Sequence, residues 1–285
     1  MRRFLALLLA ASVSGCATSH LGGPAAPDSL AAAASFSVQR DIVFSAPAAP
    51  EALKADLYVP EGPGPFPAVV VVHGGGWIKG QRSEMDRICR QLAGHGLVAV
   101  NIDYRLAPAQ IFPAPLQDLQ QAMRWVHAHA ADYRIDDRHI GAWGYSAGAE
   151  LVSLLGTLGP GDPNFAEGTR PQAVVSGGTP ADLRFASSSP LVHQYLGGTL
   201  EQRPQAYRDA SPLAFVSPDD PPMFFYHGGL DWVVGDINAR RMKQELDRAG
   251  VPAELYLVHG IGHIGVFLGG YGVEAGVGFL QRKLR

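Results

Sequence analysis

Apolar and polar positions follow two different periods along most of the chain, and the two periods recur in turn. Residues 69–72 form a continuous β-branched run, the pattern of a strand buried on both faces. Leu116, Leu119 and Met123 recur instead at spacings of three and four, which predicts a helix. The same reasoning predicts strands at 36–44, 53–59, 66–72, 97–104, 139–143, 173–176, 223–226 and 255–258, and helices at 83–92, 147–158, 237–249 and 273–284. This alternation predicts an α/β fold, with a mostly parallel sheet and helices on both faces.

The alternation is interrupted between residues 179 and 222, where Pro, Ser and Asp cluster between short apolar runs. We expect an inserted loop or a small cap over the carboxyl edge of the sheet, where α/β folds bind their ligands. Residues 36–285 are therefore predicted to form one domain that includes this insertion.

The first residues have the pattern of an export signal. Arg2 and Arg3 precede the apolar run 4–11, which is far shorter than a membrane-spanning helix requires. The segment Val13-Ser14-Gly15-Cys16 resembles the bacterial lipobox, in which the Cys is acylated after cleavage just before it. We therefore predict a lipoprotein signal peptide at 1–15 and a lipid on Cys16. An ordinary signal peptide with an incidental Cys is the alternative.

Residues 16–35 are rich in Ala, Ser, Gly and Pro and carry one charge, at Asp28. Such a composition predicts a flexible tether. Together with the signal, it predicts an exported protein that is lipid-anchored in the bacterial envelope. In a Gram-negative bacterium, an Asp directly after the Cys would retain the protein at the inner membrane. Ala17 stands there instead, so the outer membrane or periplasm is expected.

Composition narrows the function classes. The chain has 285 residues, of which 47% are hydrophobic, so it can bury a large core and is not a disordered protein. Its net charge of −3 gives no electrostatic reason to expect nucleic acid as a partner. With two Cys, no disulfide framework and no Cys-rich metal site are predicted, and Cys89 is expected to be a buried thiol.

Gly144–Gly148 reads Gly-Tyr-Ser-Ala-Gly, which matches the G-x-S-x-G nucleophile elbow. The motif follows a predicted strand and opens a predicted helix, as the strained strand-to-helix turn of an elbow requires. Taken alone it is a weak indication, since an idle Ser in a Gly-rich turn gives the same letters. Its context makes Ser146 the candidate nucleophile.

A second motif, His73-Gly74-Gly75-Gly76-Trp77, ends the strand predicted at 66–72. A run of Gly frees backbone N–H groups to point at an anion. A phosphate loop is disfavoured because no Gly-Lys-Ser/Thr follows and G-x-G-x-x-G is not completed. Together the two motifs predict a nucleophile and an oxyanion hole for acyl transfer.

An acid and then a His should follow in chain order, each on a loop after a late strand. Asp231 and His263 occupy such positions after the strands predicted at 223–226 and 255–258. The competing acids Asp219 and Asp220 precede the first of these strands, and Asp236 is expected to cap the next helix.

His259 competes with His263, but it falls within the last residues of a predicted strand. A metal site formed by these two His is disfavoured, because the Gly residues between them argue against a helix. No metal is therefore predicted. His73 and His227 are expected to bind backbone atoms near the site.

These motifs, with several others, resemble those of α/β-hydrolase carboxylesterases, specifically the hormone-sensitive-lipase-like group and its bacterial feruloyl-acetyl esterase relatives. The resemblance runs from about residue 56 to the C-terminus. It includes Asp103-Tyr104-Arg105-Leu106-Ala107-Pro108, Phe112-Pro113-Ala114, Asp118, His227-Gly228-Gly229-Leu230-Asp231 and Gly260-Ile261-Gly262-His263.

The resemblance implies an α/β-hydrolase fold and hydrolysis of small carboxylic esters without a cofactor. It implies Ser146 as nucleophile, His263 as general base and then acid, and Asp231 as the group that orients it. It further implies an oxyanion hole of the backbone N–H groups of Gly75, Gly76 and Ala147, with Arg105 and Asp118 as structural supports. Tyr145 departs from the pattern, since many relatives have an acidic residue there.

Other functions use the same motifs. A small amidase, including formamidase-like enzymes, would need the same three catalytic groups, and a serine peptidase of the propeller-bearing kind would need several hundred more residues before this domain. An envelope lipoprotein that only binds a ligand is a third alternative, although its expected mark would be a missing catalytic residue. Trp77, Tyr195, Trp232 and Phe267 are candidate pocket walls, and each could equally be core packing.

Overall fold

The computed structural model describes residues 17–24, 30, 34–46 and 52–285. These residues form nine strands: β1 Thr18–Leu21, β2 Phe36–Val43, β3 Lys54–Pro60, β4 Phe66–Val72, β5 Val98–Ile102, β6 Ile135–Tyr145, β7 Val174–Gly177, β8 Met223–Gly228 and β9 Ala253–Val258. They also form eight α-helices: α1 Asp86–Gly94, α2 Ala114–Ala128, α3 Ala147–Thr157, α4 Pro190–Leu196, α5 Pro204–Asp209, α6 Ile237–Ala249, α7 His263–Gly269 and α8 Val273–Lys283.

The strands form one sheet in the order β1-β9-β8-β7-β6-β4-β5-β3-β2. The strands β9-β8-β7-β6-β4-β5 pair in parallel with their neighbours. The remaining pairs are antiparallel: β1 with β9, β3 with β5 and β2 with β3. The mostly parallel sheet that the sequence predicted is therefore confirmed.

The sheet is buried on both faces, as the β-branched run in β4 predicted. Val70 and Val72 belong to one core cluster, together with residues of α2, α3 and α6. Val69 and Val71 point to the other face and pack with α1 and α8. The thiol of Cys89 on α1 is buried in this second cluster, as expected, and burial raises its pKa. Helices thus cover both faces.

The predicted tether is wrong for residues 18–21, which form the edge strand β1. Thr18 to Leu21 pair antiparallel with β9, and Ser19 Oγ lies 2.6 Å from His259 Nε2. Without this pairing, β9 would present a row of unpaired N–H and C=O groups. A short polar strand can satisfy them because the pairing uses main-chain atoms, which composition does not show. Leu30 packs against the core cluster of α1 and α8.

The predicted signal peptide at 1–15, Cys16 and most of the remaining tether lie outside the described residues. Among the residues that are described, no single helix has the length and apolar composition to cross a membrane. Helices α7 and α8 meet those criteria only as a pair, which is bent by 71°.

The predicted insertion between residues 179 and 222 contains α4, α5 and two 3₁₀ turns, at Leu183–Ala186 and Pro212–Ala214. Leu183, Leu191 and Val192 from this segment line a cavity that also contains Ser146. The segment therefore covers the carboxyl edge of the sheet at that point.

Candidate active site

Ser146 lies at the sharp turn between β6 and α3, with φ of 55° and ψ of −118°. A positive φ is unfavourable for a residue other than glycine, so the turn is strained. The close packing around it requires glycine at Gly148, where a Cβ would stand 2.3 Å from the carbonyl oxygen of Val72. This geometry leaves Ser146 half-buried at the end of the central strand and open to the cavity.

The glycine-rich segment after β4 lies directly against the nucleophile. A Cβ on Gly74 would stand 2.9 Å from the carbonyl oxygen of Tyr145 and 3.3 Å from Cβ of Ser146. Gly75 and Gly76 have φ of 106° and 62°, so this backbone conformation favours glycine. Gly76 lines the same cavity as Ser146.

The loop after β5 supports the glycine-rich segment. The backbone N–H of Ala107 donates to the carbonyl of Trp77 at 2.9 Å. Arg105 is fixed by the buried carboxylate of Asp118 on α2, which accepts from its backbone N–H at 2.8 Å and pairs with its guanidinium at 2.7 Å. The structural role expected of Arg105 and Asp118 fits these contacts.

Asp231 and His263 form a buried pair after β8 and β9. His263 Nδ1 lies 2.6 Å from Asp231 Oδ2. The other carboxylate oxygen accepts from the backbone N–H groups of Val233 and Val234, at 3.0 and 2.8 Å. Because both of its oxygens are engaged, the Asp231 carboxylate is held in one orientation toward the imidazole.

Two opposing effects act on the pKa of Asp231. Burial favours the neutral acid and raises the pKa, but hydrogen bonds with His227 and His263 outweigh it. The pKa of Asp231 therefore lies well below its usual range, and the side chain is an anion. His227 Nε2 faces two acceptors, the carbonyl of Val234 at 2.7 Å and the carboxylate at 3.2 Å, so this nitrogen carries the proton.

The competing acids make other contacts. Asp219 is exposed, and Asp220 pairs with Arg170 at 2.6 Å. Burial raises the pKa of Asp220 to about 6. Asp236 stands at the N-cap position of α6, as expected, but its side chain makes no capping bond and accepts instead from Arg240 at 2.8 Å. Asp231 is the one of these four acids that contacts His263.

The remaining His residues also have partners. His259 bonds Ser19 of β1, as described above, and His73 Nδ1 donates to the carbonyl of Gly74 at 2.7 Å. Burial lowers the pKa of His73. Within the described part of the chain, no group of three or more His, Cys, Asp or Glu side chains is placed to hold a metal ion.

Backbone contacts place the turn that carries Ser146 close to His263. Ser146 N–H donates to the carbonyl of Gly177 at 2.8 Å, and a Cβ on the next residue, Gly178, would stand 2.7 Å from Cε1 of His263. Tyr145 donates its hydroxyl to the carbonyl of His263 at 2.6 Å. Burial raises the pKa of Tyr145, so the phenol keeps its proton and remains a donor.

Sequence reasoning missed this contact of Tyr145, which it noted only as a departure from a family pattern. It also missed Glu150 on α3, a fully buried carboxyl that accepts from Trp77 Nε1 at 2.8 Å and from the hydroxyl of Tyr195 at 3.4 Å. Burial raises the pKa of Glu150 well above its ordinary value, which favours the neutral acid. The sequence next to neither residue indicates such a partner.

The cavity beside Ser146 has a volume of about 140 Å³. Trp77 lines it, as predicted, with Leu183, Val192 and Val233. The other three candidate walls do not line it: Tyr195 is buried behind Trp77 in a parallel stack at 4.5 Å, Phe267 packs on Tyr145, and Trp232 is 91% exposed.

A wider groove of about 620 Å³ lies along α6. Most of its charged side chains are paired within the helix, Arg240 with Asp236, Lys243 with Asp247 and Arg248 with Glu245. It contains neither Ser146 nor His263. The smaller cavity is therefore the candidate active site.

The sheet order, the strained serine turn after β6 and the acid and His loops after β8 and β9 together define an α/β-hydrolase fold. The family model named BD-FAE matches residues 55–246, and the chain belongs to this family.

The chain is similar to the esterase LipC of Mycobacterium tuberculosis, with 32% identity over 216 residues, which is 70% of this chain and 53% of LipC. It spans about half the length of the first curated relatives that it matches. Among solved structures, a truncated carbohydrate esterase from gut microbiota has a TM-score of 0.75 at 24% identity, covering 92% of this chain and 99% of that one. An acetyl ester-xyloside bifunctional hydrolase from Caldicellulosiruptor lactoaceticus has a TM-score of 0.72 at 25% identity, covering 89% and 96%.

Proposed function

We propose that the protein is a serine carboxylesterase that hydrolyses short-chain carboxylic esters. The observation that carries this proposal is the buried Asp231–His263 pair beside the strained turn of Ser146. Relatives whose names describe them as esterases support the same reaction class.

The proposed reaction is a two-step acyl transfer. Ser146 Oγ attacks the ester carbonyl while His263 Nε2 takes its proton. The oxyanion is held by the backbone N–H groups of Gly75, Gly76 and Ala147, and loss of one such donor typically costs about 3 kcal/mol in the transition state. His263 then protonates the leaving alcohol, and water repeats the sequence on the acyl-enzyme.

Asp231 has two tasks in this scheme. Its oxygen 2.6 Å from Nδ1 keeps the proton on that nitrogen, so Nε2 is free to act as the base. Its negative charge also stabilises the imidazolium that forms when His263 accepts the proton. The low pKa of Asp231 supports this role, because the carboxylate remains ionised throughout.

The size and lining of the cavity favour a small acyl group. A volume of about 140 Å³, walled by Leu183, Val192 and Trp77, suits an apolar chain of a few carbons. We propose acetyl to butyryl esters as substrates. Structural neighbours described as a carbohydrate esterase and an acetyl ester-xyloside hydrolase support acetylated carbohydrate as one source of such esters.

The first test is hydrolysis of p-nitrophenyl esters from acetate to decanoate by residues 17–285. We expect the rate to be highest for acetate to butyrate, and Ser146→Ala to lower kcat by about a million-fold. An unchanged circular dichroism spectrum would show that the variant is folded. Wild-type rates in Ser146→Ala would contradict the proposal, and a folded enzyme that cleaves amides but no ester would favour the amidase alternative.

We further propose that the protein is exported and carries lipid on Cys16, which the lipobox pattern supports. Mass spectrometry of the protein from bacterial membranes should show an N-terminal peptide that begins at an acylated Cys16. A mature chain cleaved elsewhere, with a free thiol, would contradict this proposal.

A further inference from the structure

Exposed apolar side chains are concentrated around the mouth of the candidate active site. Among the described residues, six of ten exposed large apolar side chains line the cavity or adjoin Asp231 or His263 in the sequence, and a seventh, Leu268, lies on the helix that begins at His263. Five of them form what we call the apolar rim: Leu230, Trp232, Val233, Ile264 and Leu268. Trp232 is 91% exposed, Leu268 70% and Ile264 60%. Exposed apolar side chains grouped beside a functional site indicate an interaction surface.

The members of the apolar rim come from two neighbouring segments. Leu230 donates its backbone N–H to the carbonyl of Ile261 at 3.0 Å, which joins the loop after β8 to the loop that leads into α7. Ile264 and Leu268 are four residues apart on α7 and share its outer face, while His263 and Val266 are buried.

Both segments are held in place. The turn that presents Trp232 is fixed by the two bonds from Val233 and Val234 to Asp231. At the end of α7, the guanidinium of Arg87 donates to the carbonyls of Phe267 and Leu268. This contact places a cation beside the apolar rim, as suits a surface that meets anionic headgroups. The rim is thus a preformed surface.

The described chain begins beside the carboxyl end of β9, next to the loop that leads into α7. His259 donates its backbone N–H to the carbonyl of Ala17 at 2.9 Å, and Thr18 pairs with Val258. Cys16, the predicted lipid attachment site, immediately precedes Ala17 in the sequence. A lipid on Cys16 would therefore be attached beside the loop that leads into α7 and its two exposed apolar residues.

We propose that the apolar rim is a lipid-bilayer docking surface, which holds the mouth of the Ser146 cavity against the membrane. Lipid on Cys16 would attach the chain to a bilayer without fixing which face of the domain meets it. The apolar rim would fix that orientation from the same edge of the molecule. Trp232 has the amphipathic side chain that is enriched at membrane interfaces. The proposal does not depend on which bond Ser146 attacks.

The test uses residues 17–285, which lack Cys16 but contain all nine strands and both core clusters. The protein is mixed with vesicles of phosphatidylethanolamine and phosphatidylglycerol and separated by flotation. We expect it to float with the vesicles and its tryptophan emission to shift to the blue. Trp77 and Trp143 are buried and Trp125 is half-buried against His129, so Trp232 should produce most of that shift, and Trp232→Phe should remove most of it while retaining flotation.

Ile264→Ser combined with Leu268→Ser should weaken vesicle partitioning about tenfold or more, because two exposed apolar side chains no longer leave water. Val43→Ser is the matched control, since Val43 is 50% exposed on β2 at the opposite edge of the sheet. Should the double variant fail to fold, Trp232→Ser replaces a side chain that is almost wholly exposed, and it should weaken partitioning in the same direction.

Four results would overturn the proposal. Wild-type protein that stays unbound, or that binds no better than the double variant, would exclude the apolar rim as a bilayer contact. An emission shift with xylo-oligosaccharide and none with vesicles would assign the surface to carbohydrate. Concentration-dependent dimerisation that the double variant abolishes, without vesicle binding, would assign it to a second copy of the chain. No readout involves ester hydrolysis, so an inactive enzyme leaves this test intact.

Discussion

At the scale of single residues, Asp231 is distinguished from the other candidate acids by its contact with His263. Asp231→Asn should lower kcat about ten-thousand-fold, because an amide no longer holds the proton on Nδ1 of His263. Asp236→Asn is the control, since Asp236 bonds Arg240 on the surface, and it should leave kcat unchanged. The rates on p-nitrophenyl acetate decide the matter, and a large loss in the Asp236 variant alone would move the catalytic acid to that position.

The residues of the candidate site differ in how well sequence could predict them. Ser146 stands in a motif that its strand-to-helix context supports, and chain order pointed to Asp231 and His263, which the structure places 2.6 Å apart. Tyr145 could not be foreseen in the same way. Its bond to the carbonyl of His263 joins residues 118 positions apart, and its own neighbours in sequence do not indicate such a contact.

At the scale of elements, Glu150 joins three parts of the site. Its carboxyl on α3 accepts from Trp77 at the end of the glycine-rich segment and from Tyr195 on α4. One of its oxygens is buried without a partner, so ionisation there would be costly. The neutral carboxyl thus holds α4 and the glycine-rich segment against the nucleophile helix.

Glu150→Gln should change how stability depends on pH. In the unfolded wild type, Glu150 ionises above its ordinary pKa of 4.5, whereas burial in the folded protein raises that pKa and favours the protonated form. A raised folded-state pKa means that wild-type stability falls as pH rises through this window, and Gln removes that loss. The Tm of the variant relative to wild type should therefore rise from pH 5 to pH 9. Glu61→Gln, at an exposed glutamate, should show no such trend.

Elements with a strong period were predicted from the sequence, whereas four short ones, β1, α4, α5 and α7, were not. β4 was predicted from its β-branched run, and α3 was predicted from the serine motif at its start. β1 has four residues and few apolar ones, so only its main-chain pairing with β9 shows it to be a strand. α7 is seven residues long and lies between Gly262 and Gly270, which predicted loop and interrupt the helical period.

At the scale of the whole molecule, the parallel sheet explains how distant residues meet. The glycine-rich segment, Ser146, Asp231 and His263 follow β4, β6, β8 and β9, whose carboxyl ends lie at the same edge. This much follows from strand order alone. The shape of the cavity does not, because the insertion between residues 179 and 222 has no regular period and its packing over Ser146 is decided by tertiary contacts.

The placement of β1 and β2 at opposite edges of the sheet limits the length of the chain between them. Adjacent strands lie about 4.8 Å apart, so the eight steps from edge to edge amount to roughly 38 Å. The fourteen residues from Gly22 to Ser35 can reach at most about 50 Å when fully extended. Insertions are therefore tolerable here, whereas a deletion of about five residues would force one edge strand off the sheet. The number of strands thus sets a minimum length for a segment whose composition suggests that its length is free to vary.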